Sequence, residues 1–370
     1  MRKTFKYRLF TSKQQETALS FQLSEAAGLY NAALQERRDA YQINHKSLNY
    51  YDQANQLKEI RKNGDLSLAN FSCCQDILRR VDKTFKAFFG RVKRGEKAGF
   101  PRFKSASRFD SITFPSYGDG IKLIGNRLKI QGVGLVKVKL HREIEGKIKT
   151  VTIKRECGKW YVSFSVESEN KPLPQTGKQV GLDAGIESFI TLSDGTQIDN
   201  FKYFESSQKQ LRKIQRKVSR RKKGSKRRKK AVAVLQKIHA KIRNQRNDFQ
   251  HKVSRLIVRE YDLIAIEDLN IKGLSKGILA KQVHDVAWNS FFKKLAYKAE
   301  EAGRKLIKVN PSGTSQTCVC GEPNKKDLSV RWHNCLKCGL SNHRDIVSSQ
   351  IILNRALGLS VKDLTKAVGL

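Results

Sequence analysis

Two short apolar runs in this chain end on carboxylates. Val180-Gly181-Leu182 leads into Asp183, and Leu263-Ile264-Ala265-Ile266 leads into Glu267 and Asp268. Each run reads as a buried strand. Burying a charge in such a place is costly unless a partner neutralises it. That partner is either one of the many Lys and Arg side chains or a divalent cation. Oxygen ligands suit Mg²⁺, and two ions ~3.5–4 Å apart activate water and stabilise the leaving oxygen of a phosphodiester. Two carboxylates ~4 Å apart repel by ~4 kcal/mol at an effective dielectric of ~20, so a cluster of acids is assembled by its metal. Strand-borne acids joined by a third on a helix are how RNase H-like folds hold such ions.

The overall charge names the class of partner. The chain has 370 residues, and 74 Lys plus Arg against 34 Asp plus Glu leave a formal net charge of +40. A hydrophobic content of 39% is enough to build cores, which excludes a disordered basic tail. The length fits two or three domains at ~100–200 residues each. No apolar stretch approaches the ~20 residues of a membrane span. The opening Met1-Arg2-Lys3-Thr4-Phe5-Lys6-Tyr7 lacks the apolar core of a secretory signal. A soluble cytoplasmic protein bound to nucleic acid is the expectation, with no membrane partner.

The charge is densest between Arg212 and Lys230, where 13 of 19 residues are basic and none is acidic. A helix there repels itself until phosphates neutralise it. Because the run falls between the two acid-tipped strands, it is expected to be a nucleic-acid surface rather than a solvated tail, with Arg212, Lys213, Arg216, Lys217, Arg220 and Arg221 as contacts.

Periodicity organises the rest. Residues 1–10 alternate around Phe5, Tyr7 and Leu9 as a strand, and Thr11-Ser12 offers a helix cap. Leu19, Leu23, Ala26, Tyr30 and Ala33, then Ile77, Val81, Phe85 and Phe88, are apolar helical stripes, so residues 11–95 are expected to be mostly helical. The aromatics Phe5, Tyr7, Tyr30, Phe85 and Phe88 read as core at this spacing, with base stacking as the alternative. Beyond Gly99-Phe100-Pro101-Arg102-Phe103 come alternating runs such as Trp160, Val162, Phe164 and Val166, which predict a small β-barrel or curled sheet over 105–170 that includes the first strand. Pro172, Pro174 and Gly177 mark a boundary. Strands around Asp183 and Phe189–Leu192, a helical stretch over 204–260, a helix over Val286–Ala302, a strand over Leu306–Val309 and a last helix from about Asp345 follow.

Four of the seven cysteines, Cys318, Cys320, Cys335 and Cys338, fall in one short segment. Reduced thiols on a metal suit an odd count with one cluster better than a disulfide framework. Cys335-Leu336-Lys337-Cys338-Gly339 has the spacing of a zinc knuckle, and Cys318-Val319-Cys320 has one intervening residue fewer. Ligation of Zn²⁺ by all four sulfurs is one reading; replacement of a sulfur by His333 or His343 is the other. A closed site of either kind is structural rather than catalytic.

Several motifs together make the chain resemble the transposon-encoded TnpB proteins, RNA-guided DNA nucleases related to type V CRISPR effectors. They are Phe5-Lys6-Tyr7-Arg8-Leu9, Gly99-Phe100-Pro101-Arg102-Phe103, Gly181-Leu182-Asp183-Ala184-Gly185, Ile266-Glu267-Asp268-Leu269-Asn270, Pro311-Ser312-Gly313-Thr314-Ser315-Gln316-Thr317-Cys318 and Arg344-Asp345. The resemblance implies a multidomain α+β and α/β architecture: a helical recognition domain (11–104) inserted in a small β-barrel wedge domain (1–10 and 105–170), a linker (171–177), and an RNase H-like RuvC nuclease domain (178–309 and 340–370). A zinc ribbon (310–339) that handles target nucleic acid is inserted in the last. It implies a catalytic triad of Asp183, Glu267 and Asp345 holding two Mg²⁺ ions, with Arg344 beside it and near the nucleic acid. The implied partners are a guide RNA from the transposon end and double-stranded target DNA with its displaced strand. The implied setting is a monomer within the ribonucleoprotein, near the nucleoid of a prokaryote. Phe103 and Lys104 are candidates for reading DNA beside the target.

One motif departs from the family. Its last motif commonly reads Asp-Arg-Asp, any residue, Asn-Ala-Ala, and here the segment is His343-Arg344-Asp345-Ile346-Val347-Ser348-Ser349. This leaves open a cleavage-deficient RNA-guided repressor, beside a strand-transfer transposase and a plain RNA-binding protein.

Overall fold

A computed structural model describes residues 1–64, 70–274, 276–277, 280–325, 327 and 330–359. The chain forms two compact units, Met1–Glu169 and Asn170–Leu370.

In the first unit, strand β1 (Arg2–Phe10) is followed by helices α1 (Lys13–Asn44), α2 (Tyr50–Lys62) and α3 (Phe71–Lys93). Strands β2 (Ser111–Phe114), β3 (Ile121–Ile124), β4 (Arg127–Ile130), β5 (Gly134–Lys139), β6 (Lys147–Glu156) and β7 (Lys159–Glu167) complete it. The antiparallel sheet runs β2-β6-β7-β1-β5-β4-β3, with β1 in its middle. No ladder joins β2 to β3 among the described residues, so the sheet is open and not a closed barrel. A period of two sets the buried face: Phe5, Tyr7 and Leu9 on β1, and Trp160, Val162, Phe164 and Val166 on β7. The helical stripes through Leu19, Leu23, Ala26, Tyr30 and Ala33, and through Ile77 and Val81, share that core. α1 starts on a capping box, in which the Ser12 side chain accepts from the Gln15 N–H and the Gln15 side chain accepts from the Ser12 N–H. Cys73 and Cys74 are core residues whose thiols burial pushes up, which makes them inert. Phe85 is half-buried and packs against that core, and Phe88, also half-buried, joins it in a ring cluster with the exposed Phe89 and Phe100.

The second unit begins with β8 (Gln179–Asp183), β9 (Ser188–Leu192) and β10 (Gln197–Asp199), then α4 (Tyr203–Ser219) and α5 (Lys226–Glu260). It continues through β11 (Leu263–Glu267), α6 (Ile271–Leu274), α7 (Ala280–Val286), α8 (Trp288–Glu301) and β12 (Lys305–Val309). The hairpin of β13 (Trp332–Asn334) and β14 (Ser341–His343) leads into α9 (Arg344–Leu357). The main sheet has the order β10-β9-β8-β11-β12; β8, β11 and β12 are parallel, and β9 and β10 antiparallel. The expected helix over 204–260 is broken after Ser219, where four successive cations, Arg220–Lys223, meet Gly224 at φ +89°. Gly224 lies in the left-handed region that glycine adopts without strain and breaks the helical course, and Ser225 restarts it by accepting from the Arg228 N–H. Residues 171–177, expected as a linker, are pinned to this unit: the Lys171 and Leu173 N–H groups donate to the Glu301 and Ala302 carbonyls, and those of Thr176 and Gly177 to the Asp262 carboxylate. No helix among the described residues is long and apolar enough to cross a membrane. The end of the expected nuclease segment, 360–370, lies outside the described residues.

Candidate active site

Register brings the first two acids together. In the parallel ladder Ala265 faces Gly181 and Ile266 faces Leu182, so the next step sets Glu267 opposite Asp183 at the carboxyl ends of β11 and β8. Residues in register on adjacent strands lie about 4.8 Å apart and share a face. The same face carries Gly181 and Ala265, two residues back, and there α9 rests on the sheet. Ala265 is in one apolar cluster with Ile352 of α9. A Cβ on Gly181 would sit 2.0 Å from the Ser349 carbonyl oxygen and 2.8 Å from the Leu353 nitrogen, so only glycine allows this approach. Asp345 stands one helical turn before Ser349, on the same side of α9, as Asp183 stands two residues beyond Gly181. A strand period of two and a helix repeat of four therefore direct the third acid to the first.

The electrostatics register this convergence. The Asp183 carboxyl is pushed up to about 8, first by burial and then by the charges of Glu267 and Asp345; Arg344 and the Ala184 N–H oppose the shift. Burial also pushes Glu267 up, opposed by a hydrogen bond from Thr314 and by the Arg355 charge. Glu267 and Asp345 are each 9% exposed, which leaves no room for water to screen them fully. Asp268, beside Glu267 in sequence, instead turns outward onto Lys308 at 2.9 Å. Arg344 has Nε 3.4 Å from Asp345 Oδ1 and donates to the Val330 carbonyl, which places it beside the acids. Oxygen donors of this kind fit a hard divalent cation. Their spread is wider than a single-ion cage: among the described residues, only the four clustered cysteines lie with all ligand atoms within 4.8 Å of one another.

Those cysteines, Cys318, Cys320, Cys335 and Cys338, carry Sγ pairs 3.6 Å (Cys318–Cys338) and 3.7 Å (Cys320–Cys335) apart. A tetrahedron with ~2.3 Å Zn–S bonds has edges of ~3.8 Å, so the four sulfurs have the spacing that zinc needs. Tight turns build it: the Gly321 N–H donates to the Cys318 carbonyl, and the Gly339 N–H to that of Cys335. Neither His333 nor His343 belongs to the cluster. His333 is buried on β13, and His343 caps α9, its Nδ1 3.4 Å from the Asp345 nitrogen.

On α4, Arg212, Lys213, Arg216 and Lys217 are exposed, as is Arg220 at its C-terminal cap, while Leu211 and Ile214 pack against Leu235, Ile238 and Ile242 of α5. The cations form a ridge on a helical hairpin. Arg221 is half-buried and donates to the Arg227 carbonyl. Phe103 is exposed, whereas the Lys104 ammonium lies 4.4 Å over the Tyr30 ring and serves packing. Sequence reasoning left Thr314 and Arg355 without a role. Thr314 stood within a quoted motif, but its bond to Glu267 spans 47 residues and leaves no local signal.

A family model described as "Probable transposase" matches residues 163–277, and one described as "Cas12f1-like, TNB domain" matches 288–352. A third, described as "Helix-turn-helix domain", matches 1–46, which here form a strand and one long helix. Among the relatives named "Putative RNA-guided DNA endonuclease" are two that span nearly the whole chain. InsQ of Escherichia coli (strain K12) is 30% identical over 94% of this chain and 91% of its own. The Streptomyces pristinaespiralis relative is 33% identical over 97% and 90%. A solved structure titled "Structure of the mini-RNA-guided endonuclease CRISPR-Cas_phi3" shares the fold at a TM-score of 0.51 and 12% identity, covering 97% of this chain and 92% of that one.

Proposed function

The chain belongs to the TnpB family of transposon-encoded, RNA-guided DNA endonucleases, and on that premise we propose that Asp183, Glu267 and Asp345 are its nuclease centre. A guide RNA from the transposon end selects the target by base pairing, and the protein reads RNA shape and a short motif in the adjacent DNA. Double-stranded DNA and its displaced strand are the substrate. The observation that carries the reading is the Ile266–Leu182 register, one step short of Glu267 and Asp183, together with the charges of Glu267 and Asp345 acting on the Asp183 carboxyl.

In this reading the three acids belong to an RNase H-like, RuvC-type domain over 178–309 and 340–370, supported by acids on adjacent parallel strands under a covering helix. Residues 310–339 form the zinc ribbon, 1–10 and 105–170 the wedge domain, and 11–104 the recognition domain. The carboxylates hold magnesium, which supplies Lewis acidity and a nucleophilic water near neutral pH. Arg344 offsets part of the negative charge at Asp183 and Asp345, and so keeps the cluster from over-repelling. Closure of α9 on Gly181 fixes Asp345 against Asp183 without a flexible intermediary. The α4–α5 ridge offers its cations to phosphates.

The unusual Val347-Ser348-Ser349 does not favour a cleavage-deficient repressor. Ser348 and Ser349 are buried, and the Ser349 hydroxyl donates to the Ile346 carbonyl within α9, so small residues still fill the contact with Gly181. The test is to incubate the purified ribonucleoprotein, its RNA identified by sequencing, with a plasmid carrying the matched target and Mg²⁺. Cleavage that needs both guide match and metal supports the nuclease. Tight binding without cutting supports the repressor, and strand-transfer products without RNA a transposase.

A further inference from the structure

Between β12 and the cysteine cluster the chain makes a compact loop, residues 310–317, whose one buried side-chain hydroxyl is turned on an acid of the candidate centre. Thr314 is 5% exposed, and its Oγ1 lies 2.5 Å from Glu267 Oε1. The same hydroxyl is 3.1 Å from the Pro311 carbonyl. It has one proton, and the carboxylate is both nearer and charged, so the bond goes to Glu267. Among the described residues the Glu267 carboxylate accepts no hydrogen bond besides that of Thr314, on Oε1, which leaves Oε2 for the site.

The loop is itself held from α9. Arg355 Nη1 donates to the carbonyls of Asn310, at 2.7 Å, and Ser312, at 2.8 Å. Within the loop Gly313 takes φ +75°, its carbonyl accepts from the Gln316 N–H and from the Thr317 hydroxyl, and the Asn310 side chain accepts from the Ser312 N–H. The helix that carries Asp345 thus also clamps the loop that grips Glu267, and four residues after Thr314 the chain enters the cysteine cluster at Cys318. Two acids from different elements are tied to each other by a path of hydrogen bonds that contains no acid.

We propose that Thr314 is a positioning residue for the nuclease: its hydroxyl fixes the rotation of the Glu267 carboxylate, and Arg355 holds Thr314 in place from α9. This rests on the nuclease reading above. A glutamate has three rotatable side-chain bonds, and ordering it costs free energy each time the centre fills. Holding one oxygen in advance removes that cost and presents the other oxygen in one orientation.

The test compares Thr314→Val, which keeps the shape and removes the hydroxyl, with Thr314→Ser, which keeps the hydroxyl. Each full-length variant is purified as the ribonucleoprotein. Three quantities are read: the Mg²⁺ concentration giving half-maximal cutting, the melting-temperature gain on adding Mg²⁺ to the protein without DNA, and guided DNA binding in EDTA. Losing an outer partner of a metal ligand typically costs ~10–100-fold. Thr314→Val should therefore raise the Mg²⁺ requirement by about that factor and shrink the melting gain, with binding in EDTA and zinc content unchanged. Thr314→Ser should restore the wild-type requirement. Arg355→Gln, which spares the hydroxyl and frees the loop, should shift the requirement in the same direction by less, and it decides the matter if Thr314→Val does not fold. Wild-type Mg²⁺ dependence in a folded Thr314→Val or Arg355→Gln would overturn the role, as would equal loss in the Val and Ser variants. Wild-type protein that neither cuts nor gains melting temperature with Mg²⁺ would instead overturn the nuclease reading itself.

Discussion

Replacing Asp183 by Asn should stabilise the metal-free protein while destroying cleavage. Desolvation first, then the charges of Glu267 and Asp345, push the Asp183 carboxyl up to about 8 from 3.8 for an ordinary aspartate. Between those two values the folded state keeps a proton that the unfolded state has released, so stability falls as pH rises from about 4 to about 8. At pH 7 the penalty spans about three units at ~1.4 kcal/mol each, an upper value of about 4 kcal/mol. Asparagine has nearly the same shape and cannot ionise, so Asp183→Asn removes that penalty. At ~2–4 °C per kcal/mol for a unit of this size, the ceiling is a rise of ~8–16 °C. The assay is thermal unfolding of the full chain in EDTA at pH 5, 6, 7 and 8. Wild type should lose melting temperature across the series, and the variant should lose much less. Adding Mg²⁺ should raise the wild-type value and leave the variant unchanged, because the cation takes over the role of the proton in wild type. Guided DNA binding should survive in the variant and cutting should not. A variant that melts at or below wild type at pH 8 in EDTA would refute the account of three converging, mutually repelling acids.

The remaining expectations follow from separate contacts. Gly181→Ala drives a methyl into the α9 backbone and should cost about 3 kcal/mol, with cutting lost along with it, since α9 must move and carries Asp345; a variant that melts and cuts as wild type would show that the approach is not tight. Cys338→Ser removes one of four sulfurs, so bound zinc and melting temperature should fall together, and full zinc content with unchanged melting would argue against a structural site. Replacing Arg212, Arg216 and Arg220 together by Gln should leave stability nearly unchanged and flatten the slope of log K against log salt by ~2–3, at ~0.7–0.9 per phosphate contact; an unaltered slope would remove this ridge from the nucleic-acid surface. Lys298, on α8, is buried with its ammonium on the His251 carbonyl and the Ser254 hydroxyl, and burial first, then Arg255 and Lys294, depresses it to about 8 from 10.5. The unfolded chain then binds more protons between those values, so wild-type stability should rise from about pH 8 to 10.5, and Lys298→Met should lack that rise in denaturant midpoints.

Local pattern carried the reading as far as local physics reaches. The alternation of Trp160, Val162, Phe164 and Val166 is visible because a strand buries every second residue, and the stripe through Leu19, Leu23 and Ala26 because a helix repeats near 3.6. The helix over 204–260 was legible as helix but not as two: no apolar residue lies between Val218 and Ala231 to show whether the stripe runs on, and the break comes at Gly224, whose backbone is left-handed. The open edges at β2 and β3 were not legible either, because whether a sheet closes depends on pairing between its ends and not on any one strand.

The candidate centre divides along the same line. Asp183 and Glu267 stood out because a carboxylate that ends an apolar run is costly wherever the run is buried. Which residue of β11 faces which residue of β8 is fixed by pairing across more than eighty positions, and no window of sequence contains it. Once that register is known, much follows from small residues: Gly181 and Ala265 leave a flat strip on the sheet, α9 settles into it through Ser349 and Ile352, and the acids at the near ends of all three elements meet. The glycine before the aspartate is therefore as much a part of the site as the aspartate. It contributes no chemistry of its own, and it sets the distance at which the chemistry of the other three becomes mutual.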